Sequence, residues 1–344
     1  MISLRYSLIV GALILSACAS PYVQPAGLVS LPPRVSDDPL DGQMMIRVSD
    51  GTMLPVQVWA PLDASDDPES VGAVIIGVHG FNDYSSTFEA AGRWWADRGI
   101  VTYAYDQRGF GMAPEPGTWP GERRLVQDLE DVVGALRERH PGKRLFVHGN
   151  SMGGAVVLIA LATSAPGSAL SSIAGASLTA PAVWGGLAMS PFYRLTLWAA
   201  AHTVPSRRLT GGGLGVVPSD NIDMLRALGR DPLVIKATRI DSLYGLVKLM
   251  GAAQRAAPDV EARLLVLHGS KDRIIPRRPT AALAAKMNGS GRFAVYPNGY
   301  HMLLRDLQAE VVWRDILAWI DDASAALPSG AEVSGGNLFA AGTN

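Results

Sequence analysis

The sequence predicts an α/β fold built on a mostly parallel eight-stranded sheet, with helices on both faces and an inserted helical cap. Three observations carry that expectation. Eight short apolar, β-branched runs recur along the chain. Segments with helical periodicity stand between them. The alternation breaks once, over residues 182–255.

The strand candidates are, in order, "MMIRV", "MLPVQVWA", "GAVIIGV", "IVTYAYD", "RLFVH", "SIAGASLT", "RLLVLHG" and "RFAVYP". Several are almost continuously apolar, as central strands covered on both faces must be. Among the helix candidates, "SSTFEAAGRWWADRG" opens on a capping-box pair, Ser86 with Glu89, and stops at Gly99. "ERRLVQDLEDVVGALRERH" runs to Pro141, "SMGGAVVLIALATSA" follows a glycine turn, and "DLQAEVVWRDILAWIDDA" closes the domain. The segment 182–255 is helical, aromatic and interrupted by glycines, and reads as a cap over the sheet. Its aromatics Trp184, Phe192, Tyr193, Trp198 and Tyr244 are expected either to line a tunnel for an acyl chain or to pack the cap on the sheet.

Composition narrows the function classes. The 344 residues carry a formal net charge of −1 and no block of like charge, which gives no support to a nucleic-acid partner. One cysteine excludes a disulfide framework, and neither HExxH nor CxxC is present, so no metal or other cofactor is expected. Gly211, Gly212 and Gly213 lack the lysine and hydroxyl residue of a P-loop and read as a hinge in the cap. The first 17 residues have a short basic start, an apolar core and small residues before Cys18, the pattern of a secretion signal. Residues 18–41 are rich in proline and read as a tether. Residues 42–325 form the domain, and 326–344 read as a disordered tail.

The chemistry gathers around "VHGNSMGG". Gly149-Asn150-Ser151-Met152-Gly153 is a G-x-S-x-G pattern placed between a strand candidate and a helix candidate, which would lift one serine hydroxyl onto a sharp turn. A serine attacks only when a base takes its proton, so a histidine and an orienting carboxylate must follow. Asp272 stands in the loop after "RLLVLHG" and His301 after "RFAVYP", giving the order Ser, Asp, His. Asp306 and Asp241 are alternative acids. His79, beside Gly80 at a strand end, is expected to organise a loop, and His148 and His268 read as core histidines. His140 sits at a helix end, where a partial positive charge suits the dipole. Arg108 is expected to pair with Asp106 in "YDQRGFG".

With these residues in place, the sequence resembles the α/β-hydrolase superfamily, and within it the monoacylglycerol lipase, lysophospholipase and S33-type group. "VHGFNDYSSTFE", "YDQRGFGMAP" and "GNSMGG" match that group's motifs in order, and the resemblance spans about residues 44–322. It implies an oxyanion hole from the backbone N–H groups of Phe81 and Met152. It differs at Asn150, where histidine is common, and at "GFND", where a second glycine and a glutamate are commoner. "LSAC" similarly resembles the bacterial lipobox, which implies that Cys18 carries acyl chains and holds the protein at the cell envelope. Ala19 after it leans toward the outer membrane, facing the periplasm. The expectation is a serine hydrolase of monoacylglycerol or lysophospholipid esters. The alternatives are an S33-like peptidase, with Asp220, Asp223, Asp231 or Asp241 holding a substrate ammonium, and a non-catalytic envelope lipoprotein.

Overall fold

The computed structural model describes residues 19–36, 43–62, 71–186, 189–211, 215–287 and 291–333. The expected signal peptide and Cys18 lie outside the described residues, as do Gly212 and Gly213. The strands are β1 (Arg34–Val35), β2 (Met45–Arg47), β3 (Met53–Trp59), β4 (Ala73–Val78), β5 (Ile100–Tyr105), β6 (Arg144–Asn150), β7 (Gly175–Thr179), β8 (Arg208–Thr210), β9 (Ala237–Arg239), β10 (Leu264–Gly269), β11 (Gly291–Tyr296) and β12 (Glu332–Val333). The helices are α1 (Glu89–Ala96), α2 (Glu122–Arg139), α3 (Met152–Thr163), α4 (Pro191–Thr203), α5 (Ile222–Arg230), α6 (Ile240–Ala256), α7 (Arg277–Lys286) and α8 (Ala309–Asp321).

Every residue of β4, β5, β7 and β10 is buried, which is why β4, β5 and β10 are almost continuously apolar, while β7 buries Ser177 and Thr179 against His148. They belong to the parallel centre of the sheet, ordered β5-β4-β6-β7-β10-β11. Antiparallel strands flank it: β3, β2 and β1 beyond β5, and β12 beyond β11.

Among the described residues the sheet therefore has ten strands where the sequence predicts eight. The two additional strands come from the segments expected to be tether and tail. The strap 19–36 is docked on the domain: the Gln24 amide donates to the Trp119 carbonyl, the Gly27 amide to Asp50 and the Leu31 amide to the Ser49 carbonyl. In the tail, Leu327 is buried, the Ser329 amide donates to Asp315, and β12 pairs with β11. Both segments bind through backbone hydrogen bonds to a sheet edge or to buried carboxylates, and such bonds leave no hydrophobic period to read.

Two local expectations also change. The Ser86–Glu89 capping box does not form. Residues Ser85–Phe88 make a 3-10 turn whose first amide donates to Asp106, and α1 starts only at Glu89. Arg108 pairs with Asp50 and Asp128 rather than with Asp106, which instead accepts the amides of Ser85 and Met112. Helix α7, an alanine-rich segment after Pro276, is additional to the helices foreseen.

Between β7 and β10 the chain leaves the sheet to form α4, the short antiparallel pair β8 and β9 with α5 between them in the chain, and the start of α6. Leu249, Met250 and Ala253 in the second half of α6 join the same core as Ala155 and Val156 of α3, so this half belongs to the layer covering the sheet. Phe192, Tyr193 and Trp198 are exposed, neither packed on the sheet nor enclosed in a tunnel.

Arg108, 3% exposed, donates to Asp128 through Nε at 2.7 Å, to Asp50 through Nη2 at 2.6 Å and to the Thr52 hydroxyl at 2.8 Å. It joins the β2–β3 turn to α2. Removing the cation would leave two buried carboxylates without it, so Arg108→Ala should lower unfolding free energy by about 3–5 kcal/mol in denaturant titration.

Candidate active site

Strand β6 ends at Asn150 and helix α3 begins at Met152, leaving Ser151 alone to make the turn. Its φ is 51° and its ψ −112°, a strained conformation for any residue with a side chain. The surroundings hold it there: the Ser151 amide donates to the Thr179 carbonyl at 2.9 Å, and its own carbonyl accepts from the Ala182 amide at 2.8 Å. The glycines around it are required by close approach. A Cβ on Gly153 would fall 1.9 Å from the Val78 carbonyl oxygen, and one on Gly149 would fall 2.7 Å from the Cα of Gly154.

Asp272 and His301 follow the C-terminal ends of β10 and β11, which are parallel neighbours, so both side chains arrive at the edge of the sheet where Ser151 stands. His301 Nδ1 lies 2.8 Å from Asp272 Oδ2, and His301 Nε2 lies 3.0 Å from Ser151 Oγ. An ionised carboxylate can only accept, so Nδ1 carries the imidazole proton and Nε2 faces the serine O–H as an acceptor. Asp272 is buried, which opposes its ionisation. The His301 imidazole and the backbone N–H of Ile275 outweigh burial and bring its carboxyl below the ordinary range. The alternative acids are engaged elsewhere: Asp306 accepts from Ser219 and the Tyr300 amide, and Asp241 pairs with Arg239.

The segment after β4 closes over the elbow. A Cβ on Gly80 would stand 3.3 Å from the Ser151 Cβ, so residue 80 lies directly against the serine. The Gly80 carbonyl and the Phe81 N–H belong to one planar peptide unit. That carbonyl lies 2.8 Å from His79 Nδ1 and also takes the Asp83 amide, which turns the Phe81 N–H the opposite way. His79 Nε2 accepts from the Gln107 amide at 2.9 Å, so the imidazole is neutral with its proton on Nδ1. Burial, its strongest influence, also pushes its pKa down. Among the described residues, neither the Phe81 nor the Met152 amide donates to another group of the protein. Met152 opens α3, where the helix dipole adds positive potential. The site offers a serine hydroxyl, an oriented imidazole and two free N–H donors.

The other histidines stand apart from this arrangement. His148 is held between the Ser177 and Thr179 hydroxyls, and burial pushes it down to about 3. Burial likewise lowers His268 to about 4. At the end of α2, His140 is lowered by burial and by Arg139 and Lys143, so the helix dipole does not leave it charged. Asn150 donates to the Thr179 hydroxyl at 3.0 Å, and among the described residues its side chain makes no hydrogen bond to the triad side chains. Gln107, which fixes the tautomer of His79, was not singled out from the sequence. Its only signal was its place in "YDQRGFG", 28 residues away from the histidine it contacts.

Known proteins resemble the chain in sequence and in fold. The family model for serine aminopeptidase, S33, matches residues 69–308. The monoacylglycerol lipase of Mycolicibacterium smegmatis is 28% identical over 290 residues, covering 78% of this chain and 93% of that protein. The human monoglyceride lipase is 26% identical, covering 80% and 89%. Among solved structures, a soluble variant of the Saccharomyces cerevisiae monoglyceride lipase in complex with a substrate analog superposes with a TM-score of 0.67 at 19% identity, over 89% of this chain and 99% of that one. The monoacylglycerol lipase of Paleococcus ferrophilus gives 0.63 at 21%, over 78% and 98%. A fluorophosphonate probe should label the chain at Ser151 and fail on Ser151→Ala, with labelling slowed about 10⁴-fold in Asp272→Asn, where the imidazole loses its orienting acceptor.

Proposed function

The chain belongs to the serine aminopeptidase S33 family, and from that membership and the site geometry we propose that it cleaves carboxylic esters through an acyl-enzyme, with a monoacylglycerol or lysophospholipid as substrate. The observation that carries this reading is the unbroken line from Asp272 through His301 to Ser151, at 2.8 and 3.0 Å. Ser151 attacks the ester carbonyl as His301 Nε2 takes its proton. The Phe81 and Met152 N–H groups stabilise the tetrahedral oxygen. His301 then returns the proton to the leaving alcohol, and water, activated by the same imidazole, releases the acid. Asp272 holds the imidazole orientation and balances its transient charge.

Two features support a lipid ester over a peptide. An aminopeptidase needs a free carboxylate for the substrate ammonium, yet three of the four cap acids are engaged within the fold and the fourth, Asp223, stands in solvent in an exposed pair with Arg226. Asp220 accepts the Leu307 amide, Asp231 the Tyr84 hydroxyl, and Asp223 and Asp241 pair with Arg226 and Arg239. The cap also exposes Phe192, Tyr193, Leu195 and Trp198, an apolar surface suited to an acyl chain or a bilayer. Relatives at modest identity are monoacylglycerol and monoglyceride lipases.

The same reading extends to location: Cys18 carries a lipid anchor that holds the protein on the bacterial outer membrane, facing the periplasm. The Ala19 amide donates to the His202 carbonyl near the end of α4, so an anchor on the preceding residue would begin beside the exposed cap. Among the described residues no helix is long and apolar enough to cross a membrane.

Turnover of monoacylglycerol, lysophospholipid and aminoacyl-amide substrates should favour the esters and fall about 10⁶-fold in Ser151→Ala. Amide turnover exceeding ester turnover would move the assignment to a peptidase. Cys18→Ala should shift the protein from the membrane pellet to the soluble fraction, and unchanged pelleting would remove the anchor.

A further inference from the structure

The four residues that follow Phe81 attach alternately to the cap and to the body of the domain. Asn82 and Tyr84 reach the cap: Asn82 Nδ2 donates to Thr238 Oγ1 at 2.6 Å, the Ile235 amide donates to the Asn82 carbonyl at 2.9 Å, and the Tyr84 hydroxyl donates to Asp231 at 2.8 Å. Asp83 and Ser85 hold to the body: Asp83 takes Arg305 and the Thr87 hydroxyl, and the Ser85 amide donates to Asp106.

Residues 80–83 form a turn closed by the Asp83 amide on the Gly80 carbonyl, with Asn82 at φ 64° as its third residue. A type II turn requires that positive φ, which glycine and asparagine supply most easily. The peptide unit entering the turn is the one that carries the Phe81 N–H, so the turn's geometry aims that donor. Glycine would satisfy the backbone, but only the asparagine side chain can reach Thr238. The contact is therefore an addition to what the turn needs.

We propose that Asn82 is a positioning residue that aims the Phe81 N–H by way of Thr238, making the oxyanion donor dependent on the seating of cap residues 235–239. The proposal rests on the reading of Phe81 as an oxyanion donor. The β9 segment carries Thr238 and leads directly into α6, so a substrate that displaces this part of the cap would relax the turn, and one that leaves it seated would keep the donor aimed. At Asn82 the cap and the loop of the oxyanion donor are thus joined by one side-chain hydrogen bond and one backbone hydrogen bond.

The test compares Thr238→Val, which keeps shape and removes the hydroxyl, with Thr238→Ser, which keeps the hydroxyl, and with Asn82→Gly, which keeps the φ. Losing an oxyanion donor outright costs about 10²–10³-fold, so a misaimed one should lower kcat about 10-fold in Thr238→Val and Asn82→Gly, with KM within about twofold. Thr238→Ser should recover the rate. The double variant Asn82→Gly/Thr238→Val should be no slower than either single one, since both remove the same bond. Affinity for an alkylboronic acid, whose adduct with Ser151 places an oxygen at the donor, should weaken by the same factor as kcat. Unchanged kcat and boronate affinity in a folded Thr238→Val, or effects that multiply in the double variant, would overturn the proposal. Wild type and Ser151→Ala run in the same assay separate the two levels. Turnover that survives Ser151→Ala defeats the serine-hydrolase reading, whereas Ser151-dependent turnover indifferent to Thr238 defeats the positioning role alone.

Discussion

The site depends on how closely helix α3 can approach strand β4. At Gly153 a side chain would meet the Val78 carbonyl at 1.9 Å, so the absence of a Cβ is what lets the helix start directly under the sheet edge. That approach forces the whole reversal of direction onto Ser151, whose φ of 51° carries the strain. The bonds to the Thr179 and Ala182 backbone offset a strain of about 1–3 kcal/mol and fix the hydroxyl in place. A serine held this way spends little freedom in reaching the imidazole, and the helix starts at the next residue, whose N–H is unpaired among the described residues.

Around that turn the structure places a neutral imidazole where a charge would compete with the reaction. His79 lies buried beside the serine, yet its two nitrogens are committed to Gly80 and Gln107, and burial keeps it uncharged. It is a fixed dipole that sets a peptide plane. The charged groups nearby are paired: Arg305 with Asp83, and Arg108 with Asp50 and Asp128. The carboxylate hydrogen-bonded to His301 is that of Asp272, whose carboxyl the imidazole and a backbone amide bring below the ordinary range.

The strap at residues 19–36 connects the cap to the far edge of the sheet and passes the site on the way. Its Gln24 side chain donates to Thr118 at 2.8 Å, and its amide to the Trp119 carbonyl. The Trp119 ring lies 6.5 Å from that of Phe81. The chain that leads back to Cys18 is therefore in mechanical contact with the loop beside the elbow. On the proposed reading, an anchor at that residue would fix the orientation of the cap as well as the location of the protein.

The sequence by itself determined the eight central and flanking strands, the helices that bear a clear period, and the positions of Ser151, Asp272 and His301 in the chain. These were legible because burial on both faces demands unbroken apolar runs, and because a nucleophile turn demands glycines at fixed spacing. Tertiary structure alone decided the rest. Strands β1 and β12 have two residues each and owe their form to an existing edge. Arg108 chose partners 58 and 20 residues away over the aspartate two positions before it. The turn at Asn82 is suggested by its residue type, but its partner Thr238 lies 156 residues further on. Contacts of that kind depend on which surfaces the fold brings together, and local propensity carries no record of them.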